Sequence, residues 1–318
     1  MSDKLPICVL TGFLGSGKTT LLSRLLAQPE LGETAVIVNE LGETAIDHHL
    51  LRRVDERTVV LANGCVCCTM RRDLSEELLD LLDRRSEGTV PAFRRVVLET
   101  TGLADPAPIV ATIAHDQVVR HHYELDRVIT TVDGLCGGVS LDRDAESIKQ
   151  VAVADRLVVT KTDLAERRRL DALEARLGEL NPAASVLEAA HGELDPEELL
   201  GGAPVDPRDV PLGGAPHSSG IRAFSVVLDE PLDWTAFGVW LTMLLQAHGG
   251  DVLRVKGLLD VGGPGPLLVN GVQHVVHTPA HLDAWPDDDR RSRLVFIARG
   301  VEPLRVEESL RAFSRPGS

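Results

Sequence analysis

The segment Gly12-Phe-Leu-Gly-Ser-Gly-Lys-Thr19 constrains this chain more than any other feature, because its GxxxxGK[ST] spacing works only as a turn from a strand into a helix. The context is right on both sides: the apolar run Ile7–Leu10 precedes it, and leucines at three- and four-residue spacing over Lys18–Ala27 follow. Glycines at these positions let consecutive backbone N–H groups wrap phosphate oxygens, and the helix start adds a favourable dipole. Lys18 can then reach the β and γ oxygens, and Thr19 can ligate Mg²⁺. Gly12, Gly15, Ser16, Gly17, Lys18, Thr19 and Thr20 are therefore candidate nucleotide-binding residues.

A motif of this kind needs a buried parallel sheet behind it, and the pattern of the chain supplies one. Val/Ile-rich runs without polar alternation recur at Ile7–Leu10, Ala35–Asn39, Arg95–Glu99, Arg127–Val132, Leu157–Thr160 and Ser185–Leu187, which reads as strands buried on both faces. Amphipathic stretches at Lys18–Ala27, Arg72–Leu82 and Glu166–Leu180 are the covering helices. From 201 to 220 the composition turns to Gly, Pro, Ser and Asp, which marks a linker after a nucleotide-binding domain over 1–200. Beyond it, strand-like Ile221–Leu228, Val252–Leu259, Leu267–Val276 and Arg293–Ile297, with helical Asp233–Gln246 and Val306–Phe313, predict a smaller α+β domain over 221–318. The fold class is thus α/β: a P-loop NTPase domain with a mostly parallel sheet flanked by helices, plus a smaller C-terminal α+β domain.

Two further strand ends narrow the nucleotide chemistry. Glu99-Thr-Thr-Gly102 follows the run Val96–Leu98; an acid there usually holds Mg²⁺ directly or through water, so Glu99 is expected as a second-sphere magnesium residue and Gly102 can offer its N–H to the γ-phosphate. Thr160-Lys161-Thr162-Asp163 resembles the [NT]KxD element that reads guanine, in which a carboxylate accepts from N1 and the exocyclic amine. Asp163 therefore argues for GTP, with Lys161 laying its stem on the base. No arginine finger or water-positioning group is legible, so intrinsic hydrolysis is expected to be slow.

Cys65-Val-Cys67-Cys68, just before the amphipathic stretch Arg72–Leu82, brings three soft thiols together. A helix start favours thiolates, which suit Zn²⁺ or Cu⁺, and three ligands leave a coordination position open, as transfer requires. A structural zinc site and a redox switch are the other readings of the same residues. The odd count of five cysteines, with no secretory framework, points to a reducing cytosol and so to a cytoplasmic protein. A net charge of −15 and 3% aromatic residues argue against nucleic acid as a partner. The longest uncharged stretch, 234–250, is too polar for a membrane span.

Together, GFLGSGKTT, NELGETAID at 39–47, GCVCC at 64–68, ETTGLADP at 99–106 and TKTD resemble the CobW-type P-loop GTPases, with LRVKG at 253–257 and RLVFIARG at 293–300 resembling their C-terminal domain. The resemblance implies a metallochaperone or insertase that couples binding and hydrolysis of GTP to GDP to delivery of zinc, or in some branches cobalt, to a client metalloprotein. It also implies that 39–47 is a nucleotide-sensing switch, in which Glu40, Glu43 and Asp47 sense Mg²⁺-GTP and Glu43 completes the thiolate site. Homo-oligomerisation is compatible with this reading. Leu41, Ala45 and Thr160 depart from the usual residues of the family at their positions. A GTPase of a cobalamin or other metallocofactor pathway, and a nucleotide-gated metal sensor or scaffold, are the alternative functions. His274, His277 and His281 fit an edge strand or loop better than a metal site, because in one strand His274 and His277 point to opposite faces. Cys8 is expected to be an inert core thiol and Cys136 a loop residue.

Overall fold

A computed structural model describes residues 4–39, 59–63, 70–201, 220–286 and 288–314. Its contacts divide the chain into two units, Met1–Leu177 with Ala184–Pro204 and Gly178–Ala183 with Val205–Ser318. The expected linker falls, from 202 to 219, outside the described residues.

Among the described residues the first unit has seven strands: β1 (Leu5–Gly12), β2 (Thr34–Asn39), β3 (Val59–Asn63), β4 (Arg95–Glu99), β5 (Tyr123–Asp133), β6 (Arg156–Thr160) and β7 (Ser185–Ala189). They lie in the order β3-β2-β4-β1-β5-β6-β7, and every pairing is parallel. Six of the seven are the strands anticipated from the apolar runs. β3 is an addition, because a five-residue apolar run does not declare itself as strand or helix by periodicity. It adds a strand before the cysteine segment, so Cys65, Cys67 and Cys68 come after the third strand along the chain, and they fall outside the described residues.

Helices α1 (Lys18–Leu26), α2 (Met70–Ser86), α3 (Ala107–His115), α4 (Val119–His122), α5 (Gly137–Arg143), α6 (Ala145–Val153), α7 (Arg167–Leu180) and α8 (Pro196–Leu200) connect the strands. The leucine spacing of α1 does what it predicts: Leu21, Leu22, Leu25 and Leu26 are buried against Cys8, Leu10, Val36, Val38 and Ile129 of the sheet. Each such side chain contributes about 1.5–3 kcal/mol of burial, so this helix start is anchored from its inner face. Register then brings the functional strand ends level. Leu10 of β1 lies opposite Glu99 of β4, Gly12 opposite Thr131 of β5, and Asp133 of β5 opposite Thr160 of β6.

The second unit is an antiparallel sheet ordered β11-β10-β9-β13-β8, formed by β8 (Ile221–Leu228), β9 (Val252–Leu259), β10 (Leu267–Val272), β11 (Val275–Val276) and β13 (Ser292–Arg299), with β12 (Ala280–His281) paired to β10. Helices α9 (Trp234–His248) and α10 (Pro303–Ser314) share its core with Phe224, Phe237, Trp240, Phe296 and Leu310. The Trp240 indole donates to the Ser309 hydroxyl at 3.0 Å, which satisfies its one polar group. Strand Leu267–Val276 was expected to be continuous. Instead the chain reverses at Gln273-His274, with Gln273 at φ 49° and Val272 opposite Val275, a turn without the usual Gly or Asn signal. His274 lies 3.2 Å from the Leu245 carbonyl and His277 3.3 Å from the Asn270 amide, and no group of three metal-ligating side chains occurs among the described residues. Among the described residues no helix is long and apolar enough to cross a membrane.

Candidate nucleotide site

In parallel α/β sheets ligands sit beyond the carboxyl ends of the strands, and here the ends of β1, β4, β5 and β6 converge on the turn 12–18. Gly17 precedes α1 in the left-handed region at φ 86°, and no side chain caps the helix. The first N–H groups of α1 thus lack a side-chain acceptor of their own, which is the arrangement an anion completes. At Gly12 a Cβ would come within 2.2 Å of the Thr131 hydroxyl, so only glycine lets β1 turn here. The Lys18 ammonium donates to the carbonyls of Gly12 at 2.9 Å and Phe13 at 3.4 Å, holding it inside the loop. Ser16, buried, has its hydroxyl 2.6 Å from that of Thr131. Thr20 is exposed on α1, next to the turn at Gly192.

The Thr19 hydroxyl donates to Glu99 Oε1 at 2.7 Å, and Glu99 is only 2% exposed. A hydroxyl and a buried carboxylate in contact form an oxygen pair suited to a hard divalent cation, so the two residues proposed for Mg²⁺ are adjacent. One residue on, Thr100 donates its hydroxyl to Thr11 at 2.8 Å and its backbone N–H to Leu10, which ties the end of β4 to β1. Gly102 lies against the loop itself: a Cβ there would sit 2.6–2.8 Å from Leu14, including the Leu14 backbone nitrogen.

The guanine-reading candidates lie at the next strand end. Thr160, where asparagine is usual, donates its hydroxyl to the Ser16 carbonyl at 2.7 Å, so it braces the phosphate loop from β6. Lys161, in the left-handed region at φ 56°, donates to the Gly15 carbonyl at 2.8 Å and pairs with Asp133 Oδ2 at 2.6 Å. Its head group therefore links the loop to the end of β5. Asp163 accepts the His191 backbone N–H at Oδ1 (2.9 Å), and His191 Nδ1 lies 3.2 Å from Oδ2. The His191 N–H holds the Asp163 carboxyl below the ordinary carboxylate range, keeping it in the form that accepts two donors.

Asp133, Thr131 and His191 contact the motif residues although the motifs did not name them. Asp133 carried a readable signal, being an acid at the end of an apolar run as Glu99 is. The pair His191-Gly192, both left-handed at φ 53° and 76°, follows β7; Gly192 is the usual residue for such a backbone, and His191 carried no signal of its own. Glu40, Glu43 and Asp47, with the three clustered cysteines, lie outside the described residues. Cys8 is buried, with its thiol donating to Asp126, and Cys136 is exposed.

The family described as CobW/HypB/UreG, nucleotide-binding domain, matches residues 6–188, and the cobalamin synthesis protein cobW C-terminal domain matches 221–314. The chain is 35% identical over 321 residues to the zinc chaperone YjiA of Escherichia coli K12, covering 98% of each chain. It is 32% identical over 353 residues to the zinc chaperone CobW of Pseudomonas aeruginosa PAO1, covering 97% of this chain and 91% of that one. The crystal structure of the Zn(II)-bound YjiA GTPase superposes with a TM-score of 0.74 at 29% identity, over 99% of this chain and all of that one. A form of that protein with one glutamate and two adjacent cysteines replaced by alanine is likewise Zn(II)-bound and superposes equally well, with a TM-score of 0.74.

Proposed function

The chain belongs to the CobW family, and from that premise we propose that this P-loop GTPase is a zinc chaperone whose nucleotide state controls how tightly Cys65, Cys67 and Cys68 hold the metal. The observation that carries the nucleotide half is the convergence of Lys18, Thr19, Glu99 and Lys161 on one loop at the carboxyl edge of the sheet, with Asp163 two residues beyond Lys161. The zinc half rests on the CxCC segment beginning two residues after the end of β3 and on relatives named zinc chaperones over nearly the whole chain.

Each residue has a defined task in this reading. Backbone N–H groups of 13–18 cradle the phosphates, and Lys18 exchanges its two loop carbonyls for β and γ oxygens. Thr19, with Glu99 behind it in the second sphere, would hold Mg²⁺, which when bound would supply neutralisation of phosphate charge. Gly102 offers its N–H to the γ-phosphate, and Asp163 accepts the two guanine donors. The segment 39–47 is the switch, with Glu40 and Asp47 sensing Mg²⁺-GTP and Glu43 the fourth group around the thiolates; loss of the γ-phosphate releases it and frees zinc for a client metalloprotein.

Asp163→Asn tests the nucleotide half. An amide cannot accept from both guanine donors with a full charge, so the preference for GTP over ATP should fall roughly ten- to a hundredfold. Competition binding with the two nucleotides reads this directly, and an unchanged preference would remove Asp163 from the base site.

A further inference from the structure

Gln150, on α6, is 1% exposed and its side chain is committed to a single turn. Its Nε2 donates to the carbonyls of Gly102 at 3.2 Å and Ala104 at 3.0 Å, while its own backbone carbonyl accepts the Thr130 hydroxyl of β5 at 2.8 Å. The neighbouring Lys149 reaches Asp105 Oδ2 at 3.4 Å, so α6 grips the segment 102–105 at three points. On its other side the same turn touches the phosphate loop, where Gly102 leaves no room for a Cβ beside Leu14.

The acceptor half of the carboxamide makes no such contact. Oε1 of Gln150 is buried and has no hydrogen-bond partner among the described residues, and the same holds for the Thr101 hydroxyl. Burying an unsatisfied oxygen is unfavourable, and an apolar side chain of equal size would avoid it. What glutamine adds over such a side chain is its pair of donors, aimed at the two carbonyls that flank Leu103.

We infer that Gln150 is a positioning residue for the GTP state: it holds the Gly102 turn against the phosphate loop, so that the γ-phosphate meets an N–H already in place. The inference rests on the reading of Gly102 as the γ-phosphate contact. Gln150 touches neither phosphate nor base and acts through the backbone of the turn. Without it, GTP must order the turn as it binds, whereas GDP has no γ-phosphate and makes no demand on it.

The test is the affinity for Mg²⁺-GDP and for a Mg²⁺-bound non-hydrolysable GTP analogue, in wild type, Gln150→Met and Gly102→Ala. Methionine keeps the volume and removes both donors, so the analogue should weaken about three- to tenfold with GDP unchanged. An unchanged ratio of the two affinities, or a parallel loss of both, overturns the inference. Gln150→Asn, one methylene shorter, serves under the same criterion should the methionine variant fail to fold. The Gly102→Ala arm separates premise from inference. If Gly102→Ala leaves the ratio unchanged, the γ-phosphate reading fails; if it shifts the ratio and Gln150→Met does not, only the role of Gln150 fails.

Discussion

At the residue scale, the proposed site lets a nucleotide replace partners that the loop already supplies. Lys18 shows this most simply, because its two carbonyl acceptors are neutral and phosphate oxygens are charged, and charge-assisted bonds are about twice as strong. Lys18→Ala should reduce GTP turnover by about a hundredfold or more while leaving the melting temperature within a few degrees, since burial of α1 depends on its leucines. Steady-state phosphate release and a thermal melt check both halves. A second residue tests the core behind the site. Tyr123 is the only tyrosine; it is buried, its hydroxyl donates to the Leu78 carbonyl at 2.9 Å, and burial pushes its phenol well above the usual 10.0. A group whose folded pKa is raised contributes stability that is present below its unfolded pKa and declines above it. Stability should therefore fall as pH rises past 10.0, with phenolate absorbance appearing together with unfolding. Phenolate formation near pH 10 in a protein that keeps its native circular dichroism would contradict the burial of this side chain.

At the element scale, strands and the helix of the phosphate loop were legible because their signals are local. Continuous Val/Ile runs marked six strands of the parallel sheet, and GxxxxGK[ST] marked the junction of β1 and α1. What stayed hidden depends on tertiary placement. Gln150 in Ser-Ile-Lys-Gln-Val reads as a solvent-facing polar residue of an amphipathic helix, and only the packing of α6 reveals that it faces inward. Gly192 announces a turn after β7, but nothing in the sequence shows that the N–H of the neighbouring His191 meets Asp163. The turn Gln273-His274 was missed because neither residue is a usual bearer of a left-handed φ. Capping was readable in principle, and it makes a prediction at this scale. Asp233 accepts the N–H groups of Thr235 at 2.7 Å and Ala236 at 3.1 Å, satisfying the start of α9. Asp233→Ala should cost about 1 kcal/mol in chemical denaturation, with no change in nucleotide affinity. A loss below about 0.5 kcal/mol, the low end of measured caps, would mean that solvent replaces the cap.

At the scale of the whole molecule, the chain combines a GTPase domain with a CobW C-terminal domain, and relatives named zinc chaperones share that arrangement over nearly their full length. The central claim is energetic coupling: whatever GTP does to the affinity for zinc, zinc must do to the affinity for GTP by the same factor. Zinc occupancy alone is a poor test, because the variant of YjiA lacking a glutamate and two cysteines is also Zn(II)-bound. The decisive measurement is a competition titration of Zn²⁺ against a chelating indicator without nucleotide, with Mg²⁺-GDP and with a Mg²⁺-bound non-hydrolysable GTP analogue, in wild type and in the Cys65→Ser, Cys67→Ser, Cys68→Ser triple variant. The account predicts that the GTP analogue tightens zinc binding by at least about tenfold over GDP, roughly 1.4 kcal/mol, and that the triple variant abolishes the difference. Equal zinc affinity in all three nucleotide states would contradict it.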